Sequence, residues 1–582
     1  MMLRSLLSVP LLAAALFAQA SQPASDPTSL QIGTALISTH RAVAVPRAAA
    51  PERDWSAVPA LVVLVSIDQL AAWVLEGALP YCGERGFRRL MREGVTFPEC
   101  RYRHACTETG PGHATLGTGA DAARHGIVAN DWYDPETGKR IYCCEDLDQT
   151  GIGGDGDRRG PRNLLVPTLG DQMKCYLGAE SKVVSLSWKD RSAILMAGRS
   201  ADDVLWFSKR NGSLVTTSAY GAKLPPWAEQ FNAQKAADSY FGRVWQRFGP
   251  ASAYAGLLDD VPYERADFNN AHTLPAVIDG GKPQLEPVFY EHLYESPFAN
   301  ELLLQAATFA LRQQRLGGDG PPDLLCISFS SNDVIGHRNG PQSVESRDMT
   351  LRVDEVLGQL LEMLDREVGA ARYAIVVSAD HGVQPMPELA RTRRVPAGRG
   401  MLTKWAASAV EAALVRDLGV PEAGVKTWIL VSGEGLIYLQ REAITKLGKD
   451  LRKVRKIAAL AAAKVRGVAQ VCTLDELVDQ DQSADPVVAA LRRGCHPERS
   501  PDLVVVPQPL WIDGTLPASH GTPWPADRHV PLLVKGPRIL RGEVVRERVS
   551  PGVGVVILAE LLGIPRPPGA EDGLPGVVEG GR

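Results

Sequence analysis

The sequence predicts an α/β fold: a mostly parallel central sheet sandwiched by helices, with inserted cap elements. Three observations predict it. Five short runs, LVVLVSID (61–68), KVVSLSW (182–188), LLCISFS (324–330), YAIVVSAD (373–380) and LVVVPQ (503–508), are almost continuously apolar. That is how strands buried on both faces read, whereas a half-wet strand alternates. Helical stretches separate the runs, with the clearest periodicity over 344–367, and strand–helix alternation is the pattern of a sheet covered on both sides. Polar residues also stand where runs end: Asp68, Lys189 and Asp380. Ligands of such sheets bind at the carboxyl ends of the strands.

Ahead of the first run, Arg4 precedes LLSVPLLAAALFA and then Ala18-Gln19-Ala20. A basic start, a short apolar stretch and a small-residue cleavage pattern predict a signal peptide over 1–20. The mature protein would begin near Ser21, in a periplasm or secreted, with a flexible Ala/Ser/Pro-rich leader over 21–57. The catalytic domain is expected over 58–565, followed by a Pro/Gly-rich tail over 566–582. Two stretches interrupt it as caps. One, about 196–300, is rich in Trp, Tyr, Pro and Gly. The other, about 401–500, carries helices near 402–417 and 441–465 around the β-like TWILVSGEGLIYLQ.

Composition narrows the function classes. With 45% hydrophobic and 22% charged residues the chain is too apolar for disorder. A net charge of −4 gives no broad basic field, so no nucleic-acid partner is expected and any anionic ligand must be held by local charge. No later segment offers about 18 uncharged apolar residues, so the mature form is expected off the membrane. Nine cysteines in an exported chain permit disulfides but leave one over.

Six hard-metal ligands occur in four places: Asp68, Asp333 with His337 in NDVIGHRNGP, Asp380 with His381 in SADHG, and His520 in SHGTPWPADRHVPLL. Imidazole with carboxylate suits zinc, and the lack of thiolates argues against a purely structural site. Six ligands suffice for two catalytic ions with open positions. A nucleophile is available in CTETGPGHATLGTGADAARHGIVANDWYD (106–134). There Thr109 precedes Gly110-Pro111-Gly112 and a helical stretch beginning near His113. A hydroxyl at a helix N-terminus meets backbone N–H groups and the positive end of the dipole, which favours an alkoxide and a phosphoryl group.

These residues, together with Thr118-Gly119, His125-Gly126 and Asn130, resemble the alkaline phosphatase superfamily, giving an alkaline phosphatase-like fold. The nucleotide pyrophosphatase/phosphodiesterase branch shares the Thr109-to-Asn130 spacing. The PafA-type alkaline phosphatases, with a threonine nucleophile, also share a Lys-x-Arg pair, here Lys189-Asp190-Arg191. The resemblance runs through VLWF (204–207) and VTTSAYGAKLPPWAEQFN (215–232) to His520 and HVPLL. It implies one zinc on Asp333, His337 and His520, and a second on Asp68, Asp380 and His381 beside Thr109. It also implies a phosphothreonine intermediate and Asn130, Lys189 and Arg191 on the substrate. Two zincs and an amide suffice for a diester; two further cations suit the extra charge of a monoester, each worth about 1.5–3 kcal/mol. The sequence thus reads as a secreted, monomeric phosphate monoester hydrolase, broad among small phosphorylated substrates, with a phosphodiesterase as the alternative and an inactive metal-binding protein as the non-enzyme alternative. Cys495-His496-Pro497-Glu498-Arg499 mimics a sulfatase signature, but it follows most of the metal ligands and is read as a loop. Trp206, Tyr220 and Trp227 are read either as core or as stacking partners for a nucleoside.

Overall fold

A computed structural model describes residues 55–580 apart from 155, 258, 319, 423 and 480–483. The expected signal peptide and nearly all of the leader lie outside the described residues. Among the described residues the central sheet has ten strands: β1 (Leu61–Ile67), β2 (Val95–Thr96), β3 (Gly151–Ile152), β4 (Val183–Ser187), β5 (Asp203–Phe207), β6 (Leu214–Thr217), β7 (Asp323–Phe329), β8 (Tyr373–Ser378), β9 (Leu533–Lys535) and β10 (Glu543–Val544). Their order is β10-β2-β9-β8-β1-β7-β4-β5-β6-β3. The middle of the sheet, β8-β1-β7-β4-β5, is parallel, and antiparallel pairings flank it on both sides. Every residue of β1, β4, β7 and β8 is buried, which is why these strands read as unbroken apolar runs.

Helices α1 (Thr109–Thr118), α2 (Asp190–Ala197), α3 (Ser331–Asn339) and α4 (Val344–Leu364) matter to the site. Helices α1 and α2 pack together and against Leu169–Leu177, while α4 packs with Phe298–Gln314 and Ala72–Ala78. These are the two helical groups that sandwich the sheet. The 344–367 periodicity is α4, capped by the Ser343 hydroxyl accepting from the Ser346 amide.

Three features differ from the sequence reading. The run at 503–508 is a strand, Leu503–Pro507, but of a separate four-stranded antiparallel sheet with Val468–Thr473, Leu436–Leu439 and Ile429–Gly433. Its Leu503 and Val505 pack under the helix Leu402–Leu418, while Val506 faces Ala105 and Leu491. A continuous apolar run records burial on both faces, not which sheet provides it. The helix expected over 441–465 is two, Arg441–Lys446 and Leu451–Ala462. Gly448, at φ 68°, makes the break, and the Asp450 carboxylate caps the second helix. The central sheet also continues through 203–217, inside the stretch assigned to the first cap, because β5 and β6 extend it. The aromatics there are structural. The Trp227 indole N–H donates to Asp203 at 2.7 Å, and the Tyr220 hydroxyl donates to the Gly198 carbonyl at 3.1 Å. Trp206 is buried in β5.

All nine cysteines are free thiols. No helix among the described residues is long and apolar enough to cross a membrane.

Candidate functional site

Register decides where the chemistry gathers. Ser66 of β1 pairs with Ser328 of β7 and Ser378 of β8, and Ser328 pairs with Ser187 of β4. Four strands therefore end level, and the chain beyond each leaves at the same edge. Asp68, Lys189, Asp333 and Asp380 all follow within a few residues. Residues more than 300 apart in sequence become neighbours because the strands are parallel and in step: the Gln69 amide, beside Asp68, donates to Asp380 at 3.1 Å.

Two groups of ligand atoms form there, Asp333 with His337 and His520, and Asp68 with Asp380 and His381; within each, the atoms lie within 4.8 Å of one another. Each histidine directs its Nδ1 to a backbone carbonyl: His337 to Ala518 at 3.0 Å, His381 to Gly382 at 3.0 Å, His520 to Thr107 at 2.7 Å. Donation through Nδ1 leaves the Nε2 lone pair facing inward, the arrangement by which metal-ligating imidazoles are usually oriented. Buried atoms without hydrogen-bond partners point the same way: Asp68 Oδ1, Asp380 Oδ2 and His381 Nε2. The groups adjoin, with the rings of His381 and His520 stacked 3.7 Å apart. Hard oxygens with imidazoles and unmet inward lone pairs fit metal ions, so both groups are candidate metal sites.

The electrostatics carry the strain of assembling these groups. Burial, then the neighbouring Asp380, pushes the Asp68 carboxyl well above the ordinary carboxylate range. Burial would do the same to Asp333, but the Lys189 ammonium and His337 outweigh it and hold that carboxyl well below. Lys189 Nζ lies 2.6 Å from Asp68 and 2.7 Å from Asp333, one cation bridging the two groups. Burial pulls the His381 imidazole down to about 3, so it stays neutral and available as a ligand.

Thr109 opens α1 and is buried. The helix starts there, four residues before the expected start near His113, because Gly110-Pro111-Gly112 lies within its first turn. Proline is tolerated in that turn, where its missing N–H has no partner to lose. Around Thr109 Oγ1 stand Lys189 Nζ at 3.3 Å and Arg191 Nη2 at 3.4 Å. Lys189 is the N-cap residue of α2 and Arg191 stands in its first turn, and the contact of α2 with α1 brings both cations over the hydroxyl. The Asn130 side-chain oxygen accepts from the Gly110 amide at 2.7 Å, fixing that residue beside the helix start. The six expected metal ligands, Thr109 and the three expected substrate residues are thus brought to one place.

Gly112 makes the close approach possible. A Cβ there would lie 2.0 Å from the Asp380 carbonyl oxygen, a backbone atom that cannot yield cheaply. Gly112→Ala is expected to destabilise the fold by about 1–3 kcal/mol and to lower turnover by displacing Thr109 from Asp380. Urea unfolding beside activity would check both effects, and an unchanged midpoint would show that the contact is slack.

The model of the type I phosphodiesterase / nucleotide pyrophosphatase family matches residues 62–521. The chain belongs to this family. Alkaline phosphatase PhoV of Synechococcus elongatus is 30% identical over 524 residues, 88% of this chain and 91% of that one. A Myroides odoratus protein named calcium-transporting ATPase is 30% identical over 527 residues, 88% of this chain and 93% of that one. The crystal structure of alkaline phosphatase PafA superposes with a TM-score of 0.82 at 27% identity, covering 90% of this chain and 99% of PafA. A second PafA crystal structure is of a variant substituted at a threonine, an asparagine, a lysine and an arginine. With named alkaline phosphatases alike over most of its length, this family member is a phosphatase.

Sequence reasoning assigned no role to several residues that build this family member's site. Gln69 donates from Nε2 to Asp333 at 2.6 Å and holds φ 65°, a left-handed conformation rare for a side-chain-bearing residue. His113 places Nδ1 2.8 Å from the Thr109 carbonyl and 3.2 Å from Asp380, with Nε2 at 2.8 Å from Ser328. Tyr142 donates to Asp190 at 2.5 Å and lies 3.4 Å from Arg191 Nη1. Adjacency to Asp68 for Gln69, and a position one helical turn after Thr109 for His113, were the available signals; nothing local marked Tyr142. The Cys495–Arg499 segment, read as a loop, anchors the second sheet: Arg499 donates to the Asn163 carbonyl at 2.7 Å, and its own carbonyl accepts from the Tyr438 hydroxyl at 3.0 Å.

Proposed function

We propose that the chain hydrolyses phosphate monoesters through a phosphothreonine intermediate on Thr109, with two zinc ions, broadly in substrate and outside the cytoplasm. The observation that carries this reading is the pair of cations, Lys189 and Arg191, converging on the Thr109 hydroxyl. The same four residue types are those altered in the PafA variant, with the same separations, threonine to asparagine and lysine to arginine. Asp333, His337 and His520 would hold one zinc, and Asp68, Asp380, His381 and Thr109 the other. Bound there, the ions would supply Lewis-acid stabilisation of the negative charge that develops during an in-line displacement.

The chain's own residues do the rest. Thr109 Oγ attacks phosphorus and the alcohol of the substrate departs. Water then displaces the threonine from phosphorus, releasing inorganic phosphate and restoring the hydroxyl. Helix α1 turns the positive end of its dipole towards the phosphoryl group, while its Gly110 amide is held by Asn130. Lys189 is buried, which disfavours its charge, but Asp333 and Asp68 more than compensate and hold the ammonium well above its ordinary range. It therefore acts as a fixed cation and not as a base. Once those carboxylates are committed to metal, its charge is available to an oxygen that a monoester has and a diester lacks. Arg191 supplies a second such donor.

Wild type is expected to favour p-nitrophenyl phosphate over bis(p-nitrophenyl) phosphate. In Lys189→Ala/Arg191→Ala, monoester kcat/KM should fall by about 10²- to 10⁴-fold, two charge-assisted bonds' worth, with a much smaller loss on the diester. Equal losses on both would favour the phosphodiesterase reading. No turnover of either by the zinc-loaded wild type would leave a metal-binding protein.

A further inference from the structure

We infer that the chain carries a third cation site, away from Thr109, formed by Asp259, Glu264 and Glu345 and suited to a hard divalent ion such as calcium. One carboxylate oxygen from each lies within 4.8 Å of the others. Asp259 and Glu264 belong to the segment after the short 3-10 helix Ala251–Tyr254, and Glu345 stands in the first turn of α4.

Proximity of acids alone would mean little; the unmet oxygens point to a ligand. Glu345 is 4% exposed, and neither of its carboxylate oxygens has a hydrogen-bond partner. Asp259 gives Oδ2 to Arg247 at 2.7 Å, but its Oδ1 is buried and unpartnered. Glu264 accepts only a long bond, 3.4 Å, from the Val261 amide. When all three carboxylates are ionised, one guanidinium leaves two negative charges, the charge a divalent ion would balance. The mutual cost is visible. Burial raises Glu345 to about 8, with Glu264 and Asp259 adding to it against Arg247, and burial raises Glu264 to about 7.

The donor set is oxygen only, without imidazole or thiolate, which selects a hard ion over zinc. Calcium holds oxygens at about 2.3–2.6 Å in irregular geometry, so opposite ligands stand up to about 5 Å apart, as here. Magnesium demands a tighter octahedron. An ion here would tie the 259–264 segment to the start of α4. It would also steady α3, since the Arg265 amide donates to the Arg338 carbonyl at 3.0 Å and Arg338 follows His337.

The test uses the full chain, stripped of metal and reloaded with excess zinc, then titrated with CaCl₂ by calorimetry and thermal unfolding. Wild type should bind one calcium per chain, with Kd in the range of about 10⁻⁶–10⁻³ M, and its Tm should rise by about 2 °C or more at saturation. Glu345→Gln, nearly isosteric, should lose both responses, yet be at least as stable as wild type without calcium, because it removes a buried carboxyl whose oxygens have no hydrogen-bond partner. Asp259→Asn should weaken binding at least tenfold. No calcium binding by wild type, or an unchanged response in Glu345→Gln, would overturn the site. Monoester turnover of the zinc-loaded protein without calcium is a separate readout, so failure here leaves the Thr109 reading standing and the reverse.

Discussion

Thr109→Ala is expected to lower kcat/KM on p-nitrophenyl phosphate by about 10³-fold or more, the scale on which removing a nucleophile from an intact site acts. The reason is geometric. Thr109 Oγ1 is the hydroxyl at the start of α1 with both Lys189 and Arg191 within 3.4 Å, and losing it leaves the cations, the carboxylates and the histidines as they are. The substitution removes one hydroxyl and one methyl from a helix N-terminus whose cap geometry is set by the backbone of Glu108. Stability should therefore change by less than about 1 kcal/mol, and metal content should stay near that of wild type. Acid-quenched protein should carry phosphate on Thr109 in wild type and none in the variant, by intact mass. Thr109→Ser should restore a phosphoenzyme and much of the rate. Substantial turnover by Thr109→Ala would mean that water attacks phosphorus directly and that Thr109 only helps to bind.

Much of this site was legible because parallel strands put chemistry at their ends. Asp68, Lys189 and Asp380 could be picked out as polar residues closing apolar runs, and β1, β4, β7 and β8 bear that reading out with every position buried. What made them one site was not legible. The register that aligns Ser187, Ser328, Ser66 and Ser378 is a property of pairing between strands, invisible in any single run. For the same reason LVVVPQ was assigned to the wrong sheet. Gln69 was missed because a left-handed backbone at a non-glycine residue leaves no sign in composition or periodicity. The start of α1 was placed late because Gly-Pro-Gly reads as a turn, and only packing against the Asp380 carbonyl shows why the first turn needs glycine.

Removing metal should abolish turnover, with a fall of about 10³-fold or more, and added zinc should restore it at two ions per chain by elemental analysis. His520→Ala should leave about one. Asp333 and His337 would keep only two ligands, while Asp68, Asp380 and His381 remain complete. Loss of both ions together would mean that the groups bind cooperatively, as the stacking of His381 on His520 allows. Lys189 supplies a finer discriminant. Its ammonium pairs with Asp68 and Asp333, one carboxylate of each group, with all three side chains buried. Deleting one partner of a buried ion pair costs about 3–5 kcal/mol because the remaining charge is stranded. Lys189→Ala should therefore destabilise the metal-free protein strongly and the zinc-loaded protein little, since ions on the same carboxylates supply the missing positive charge. The zinc-induced rise in Tm should be larger in the variant than in wild type. A smaller rise would mean that Lys189 helps to hold the metal instead of standing in for its charge, and its part in reading monoesters would then need another origin.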